Sequence, residues 1–237
     1  KDLREANRDA EFLEKQVVRL HRSLLALEQH LSSLDELTEE ERRAMGMVTD
    51  GLIDLDQGDW ESALDSFRSA ISDLSESGGR VNPFLVGRFF LTVEARWPPE
   101  MEHGLLLITI ENLGTNALPS FRMAAPAPMG WIAEPKAAEV PTIPPGGFIE
   151  MGIRIHPTGT ISENLVLAKK VSIVTGYLAD MGDLTVSTRV ENRTLKSLEG
   201  FVIDAWLPRG FAARRLPFVQ NLAPGEVIHI DTEIDAR

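Results

Sequence analysis

Residues 110–131 read IENLGTNALPSFRMAAPAPMGW, and residues 190–211 read VENRTLKSLEGFVIDAWLPRGF. The two stretches share landmarks in the same order, and a second pair, residues 140–146 and 219–225, follows one residue out of register. The matched landmarks are Ile110-Glu111-Asn112 with Val190-Glu191-Asn192, Leu118 with Leu198, Phe121 with Phe201, and the Pro-x-Gly-aromatic segments that end at Trp131 and Phe211. This order of matches predicts an internal duplication of about 80 residues.

Apolar residues around these landmarks alternate with a period of two, as in Leu106, Ile108 and Ile110. That period indicates half-buried antiparallel strands. Asn112 and Asn192 follow such strands and are expected to start turns, because Asn bonds its own local backbone. Matched spacing predicts that Trp131 and Phe211 lie at equal depth in equivalent cores, and the same is expected of Phe121 and Phe201.

The landmarks resemble those of bacterial and archaeal Ig-like domains of the alpha-galactosidase-associated (NPCBM-associated) kind. Leu222-Ala223-Pro224-Gly225-Glu226 fits the turn of that family, whereas the first copy departs from it with Ile143-Pro144-Pro145-Gly146-Gly147. The resemblance implies two tandem Ig-like β-sandwiches, at 83–158 and 165–237, acting as spacers, stalks or binding modules. It favours the prokaryotic cell envelope or surface, and a cytoplasmic location stays open.

The N-terminal part has a different pattern, with apolar residues three and four apart over more than four heptads. This spacing predicts a long heptad helix over 2–35, whose narrow seam requires a partner helix. Either a second copy of the chain or the helices that follow would cover it. The candidate self-association seam is Leu13, Val17, Leu20, Leu24, Leu27, Leu31 and Leu34.

Residues 39–75 predict two further helices, the first preceded by a capping box of Thr38 and Glu41. The pair resembles a single tetratricopeptide repeat at Gly51, Gly58, Trp60, Ala63, Phe67 and Ala70. A lone unit of this kind is expected to pack on a neighbour, and the long helix is the nearest one. Residues 75–79 read as a linker. The fold class predicted is therefore multidomain, a helical hairpin and coiled coil at 1–77 followed by an all-β region.

The amino-acid composition argues against several classes of partner and of chemistry. A net charge of -12, from 36 acidic and 24 basic residues, disfavours nucleic acid and anionic lipid as partners. No apolar run is long enough to insert in a membrane, although a start at Lys1 leaves room for a leader or anchor outside the sequence. Cysteine is absent, which excludes disulfides and thiol chemistry.

We identify no catalytic, cofactor-binding or metal-binding residues in the sequence. The five histidines are scattered, and Asp54, Asp56 and Asp59 depart from a calcium loop and read as a polar turn. Asn192-Arg193-Thr194 forms a glycosylation sequon that reads better as the turn Asn of the repeat.

These patterns predict a non-catalytic protein–protein interaction scaffold or adaptor, with no cofactor and with protein partners that include a second copy of itself. Two alternatives stay open. The chain could be a carbohydrate-binding accessory module that uses Trp97 or Trp206 as a stacking platform, or a trafficking-type adaptor with an Ig-like ear.

Overall fold

A computed structural model describes residues 3–76, 82–97, 103–127, 131–158, 171–180 and 182–236, with the backbone alone at 3–12, 75–76 and 236. It has an N-terminal helical region followed by a body rich in β-strands. The chain divides into two compact units. The first contains residues 1–87 with Asp180–Asp183 and Ala236, and the second contains most of the remainder.

The described part of the helical unit contains three long helices and one short helix. They are α1 (Leu3–Ser32), α2 (Glu39–Asp56), α3 (Trp60–Glu76) and α4 (Pro83–Val86). Helix α1 ends three residues earlier than the predicted boundary at 35. The linker predicted at 75–79 lies mostly outside the described residues.

The predicted capping box at the start of α2 is confirmed. The Thr38 hydroxyl accepts from the Glu41 backbone N–H at 3.2 Å, and the Glu41 carboxylate accepts from the Thr38 N–H at 2.8 Å. The pair satisfies two N–H groups that a helix start otherwise leaves without partners.

Helices α2 and α3 pack on each other and on α1 through small residues. A Cβ at Gly51 would lie 3.3 Å from the Ala63 carbonyl and 3.3 Å from the Leu24 side chain. Glycine therefore permits the close approach of the three helices. One face of α3 is buried at Ala63, Phe67, Ala70, Ile71 and Leu74.

Thirteen strands lie in the described residues of the β body. They are β1 (Arg88–Arg96), β2 (Gly104–Asn112), β3 (Phe121–Ala124), β4 (Trp131–Glu134), β5 (Ala137–Val140), β6 (Phe148–Pro157), β7 (Val171–Asp180), β8 (Asp183–Asn192), β9 (Leu198–Val202), β10 (Phe211–Ala213), β11 (Phe218–Leu222), β12 (Val227–Thr232) and β13 (Ile234–Ala236).

One seven-stranded sheet contains strands from both sequence repeats, in the order β12-β8-β7-β1-β2-β6-β4. The pairs β3–β5, β9–β11 and β10–β13 form separate two-stranded sheets. Strands β1, β2 and β6 come from the first repeat, and β7, β8 and β12 come from the second. The first strand of each repeat lies beside that of the other.

The predicted alternation of buried and less buried side chains is present in β2 and β8. Leu106, Ile108 and Ile110 of β2 are fully buried, as are Val186, Thr188 and Val190 of β8. Trp131 and Phe211 are buried to the same extent, while Phe121 is buried and Phe201 is partly buried against the core of Val190, Ile203, Val219 and Leu222. Residues 128–130 and 159–170, which include the predicted boundary between two sandwiches, lie outside the described residues.

Candidate functional site

Helix α1 is much longer than the helices that pack on it. It has 30 residues, against 18 in α2 and 17 in α3. At a rise of about 1.5 Å per residue, α1 extends roughly 18 Å beyond the length of either partner. Neither α2 nor α3 is long enough to cover α1 from end to end.

The predicted seam is divided along its length. Leu20, Leu24, Leu27 and Leu31 are buried, and the helices of the same chain cover them. Ser23 and Ala26 are buried as well. A Cβ at Gly182 would lie 2.8 Å from the Ser23 side chain, so the turn between β7 and β8 covers that side of α1. Leu34 lies beyond the end of α1 and is half-buried.

The N-terminal end of the seam is exposed. Leu13 is 39% exposed, Val17 is half-buried, and Val18, which the seam did not include, is 46% exposed. We call Leu13 and Val17 the open face of α1. Val18 lies about 100° round the helix from Val17 and does not belong to this face.

Arg19 lies just after the open face and is held in place by two carboxylates of the turn Asp180–Asp183, which belongs to the same compact unit. Its guanidinium donates to the Asp180 carboxylate at 2.6 Å and lies 3.2 Å from that of Asp183. Only long-range pairing could reveal these partners, because they are about 160 residues away in sequence.

Asn112 and Asn192 occupy equivalent buried positions in the two repeats. The Asn112 amide donates to the carbonyls of Asn116 and Ile143, each at 2.9 Å, and its oxygen accepts from the Gly114 N–H at 2.9 Å. Asn192 repeats the pattern with Lys196 and Leu222 as acceptors, each at 2.9 Å, and with Thr194 as donor at 2.9 Å.

The hydrogen bonds of Asn192 decide whether the sequon can be glycosylated in the folded chain. Both hydrogens of the Asn192 side-chain nitrogen are used inside the fold, and the residue is buried. In the folded chain that nitrogen is not available for glycosylation. The interpretation of Asn192 as the turn Asn of the repeat is confirmed.

The two tryptophans considered as sugar platforms pack on other rings. The Trp97 ring centroid lies 4.2 Å from that of Trp131, and Trp206 meets Tyr177 edge-on at 5.9 Å. Both are half-buried. Burial and, to a smaller extent, the Asp204 carboxylate raise the pKa of the Tyr177 phenol.

The polar turn before α3 serves as a helix cap. Asp59 accepts from the Ser62 N–H at 3.1 Å and from its hydroxyl at 2.9 Å, and these bonds lower the pKa of Asp59. The rings of His103 and His156 lie 5.8 Å apart, and His229 is exposed. Within the described ranges, no group of three or more His, Asp or Glu side chains could hold a metal ion.

The repeats differ at one outward-facing cross-strand pair. In the first repeat Arg122 of β3 is opposite Glu139 of β5, with 3.5 Å between guanidinium and carboxylate. The equivalent pair in the second repeat is Val202 with Phe218, which are 52% and 62% exposed. The second repeat thus has an apolar pair where the first has an ion pair.

No protein-family model matches this chain, and no curated protein matches it either. The resemblances to Ig-like and tetratricopeptide units therefore rest on the residues quoted above. None of the helices in the described part of the chain has the length and apolar character needed to cross a membrane.

Proposed function

We propose that this chain is a non-catalytic protein–protein interaction scaffold, in which the open face of α1 docks a further helix. The observation that carries the proposal is the continuation of one apolar seam past the end of its own bundle. From Leu20 to Leu31 the seam is buried within the chain, at Val17 it is half-buried, and at Leu13 it is exposed.

The continuation favours a helical partner over other ligands. Seam residues three and four apart form a stripe that suits side chains from a second helix at the same spacing. Covering one exposed Leu or Val contributes on the order of 1.5 to 3 kcal/mol when burial is complete. These two residues therefore support a weak contact, which further heptads of α1 would strengthen.

We further propose that each repeat is an Ig-like sandwich and that the two together act as a spacer or as binding modules. The support lies in the repeated Asn network and in the matching strand pairs, Phe121 with Val140 and Phe201 with Val219. Equivalent residues occupy equivalent positions in both halves. The β body would then hold the docking helix at a distance from whatever the other end contacts.

The test substitutes Leu13 and Val17 together with Glu. Leu13 is exposed and Val17 is half-buried, so the helical far-UV signal should be retained, whereas Glu at Leu20 or Leu27 would place a charge inside the bundle. Lys15→Glu, an exposed position outside the seam, is the matched control. Self-association is followed by light scattering, and other partners by affinity capture, identification and reconstitution from purified components.

We expect the double variant to lose the association and the control to retain it. A wild-type chain that neither self-associates nor binds any purified partner through Leu13 and Val17 would contradict the docking role. Turnover of a substrate that disappears on changing one polar residue would contradict the non-catalytic role.

A further inference from the structure

We infer that the open face of α1 takes a helix with Lys or Arg beside its own apolar seam, in preference to a second copy of this chain. The inference rests on the proposed docking role and adds the chemistry of the partner. This inference is based on the charges of the residues that flank the seam.

The buried leucines fix the heptad register. Leu24 and Leu31 are at position a and Leu20 and Leu27 at position d, which puts Leu13 at d and Val17 at a. Positions e and g border the seam and determine which helices can pair. In the described side chains of α1 these positions hold Glu14, Gln16, His21, Ser23, Glu28 and His30.

Lysine and arginine are missing from that set. The basic residues Lys15, Arg19 and Arg22 occupy positions c and f, on the far side of the helix from the seam. Next to the open face the charged flanking residue is Glu14, which is exposed. The sequence also has Asp at position 9, the g position of the preceding heptad.

A second copy would therefore meet like charge or no charge at its flanks. In a parallel pair, position g of one helix faces position e of the next heptad in the other, so Asp9 would face Glu14 and Gln16 would face His21. In an antiparallel pair, e faces e and g faces g. Neither arrangement pairs opposite charges, and the net charge of -12 on each copy adds repulsion at longer range.

If the partner helix has Lys or Arg at positions e and g, its contacts with the acidic residues that flank the seam become attractive. The seam of such a partner would continue the interface that α2 and α3 make with Leu20 to Leu31. The partner is thus a leucine-rich amphipathic helix with Lys or Arg at its flanks.

A charge-reversed copy of the full chain can serve as the probe. Asp9→Lys with Glu14→Lys makes the flanks basic and leaves the apolar seam unchanged. The matched control, Glu5→Lys with Glu11→Lys, makes the same change in net charge at positions c and b. Because the chain has no cysteine, one engineered Cys per copy allows specific fluorescent labelling.

We expect wild type to bind the charge-reversed copy at least tenfold more tightly than it binds itself or the control copy. Two flanking pairs change from repulsive to attractive, and each contributes a few-fold. The preference should shrink as salt is raised. Leu13→Glu with Val17→Glu in the wild-type copy should abolish it.

The outcomes separate the two proposals. Wild type that binds itself as tightly as it binds the charge-reversed copy would overturn the inferred partner chemistry and leave the docking role in place. Equal binding of the charge-reversed and control copies would also overturn it, because net charge alone would then account for the effect. Wild type that binds no copy at all would overturn the docking role as well.

Discussion

At the scale of single residues, the buried amides of Asn112 and Asn192 do the most to define the β body. Each joins the end of a central strand to a turn four residues on and to a backbone carbonyl about thirty residues on. An amide suits this position because its nitrogen donates twice and its oxygen accepts. No other side chain of that size offers the same set.

We predict that Asn112→Asp and Asn192→Asp each lower the free energy of unfolding of the β body by about 1 to 3 kcal/mol. The substituted carboxylate would place oxygen against two buried carbonyl oxygens, and both acceptors would lose their donor. Urea unfolding followed by tryptophan fluorescence measures the loss. Asn221→Asp, at an exposed position of β11, is the control and should change little. A neutral result at either buried Asn would contradict the proposed equivalence.

The sequence could predict part of this arrangement. A strand ending in Asn indicates a turn, and the turn is local, so the roles of Gly114 and Thr194 follow from nearby residues. The acceptors Ile143 and Leu222 could not be predicted, because they depend on which distant strands pair. The partners of Arg19 are unpredictable for the same reason.

At the scale of elements, α1 shows why a heptad pattern leaves its partner open. The spacing of leucines specifies an apolar stripe, and a stripe can be covered by the same chain or by another chain. The choice depends on the length and position of α2 and α3, which cover the seam from Leu20 and leave Leu13 exposed. The helices themselves were predictable because periodicity and capping agree.

The capping box of α2 gives a prediction at this scale. Thr38→Ala removes the acceptor of the Glu41 N–H, and we expect it to lower the stability of the helical unit by about 1 kcal/mol. Thermal or urea unfolding followed by the far-UV helical signal measures it. Thr49→Ala is the control, because its exposed hydroxyl bonds only the Met45 carbonyl in mid-helix and Ala favours helix. Equal losses in both variants would mean that the cap contributes nothing.

At the scale of the whole molecule, the strands of the two repeats share one sheet. The sequence predicted separate sandwiches at 83–158 and 165–237, and that division stays a prediction. The described residues 88–179 and 184–235 form one compact unit in which β7 neighbours β1. Periodicity could not reveal this pairing, because an edge strand and a central strand can have the same alternation.

The shared sheet predicts that one repeat by itself is incomplete. In a fragment of residues 88–158, the nine residues of β1 would lose their neighbour β7 and present unpaired N–H and C=O groups along one side. Such an edge pairs readily with another chain. Light scattering should therefore find the fragment self-associated, while residues 88–237, in which β7 covers β1, should be monomeric at the same concentration.

Thr92→Lys in the fragment should restore the monomer, because a lysine on an edge strand blocks pairing. Glu94→Gln, which removes a charge from the same strand, should not. If the unmodified fragment is monomeric and as stable as the longer chain, the repeats are independent sandwiches and the pairing of β1 with β7 contributes little to the fold.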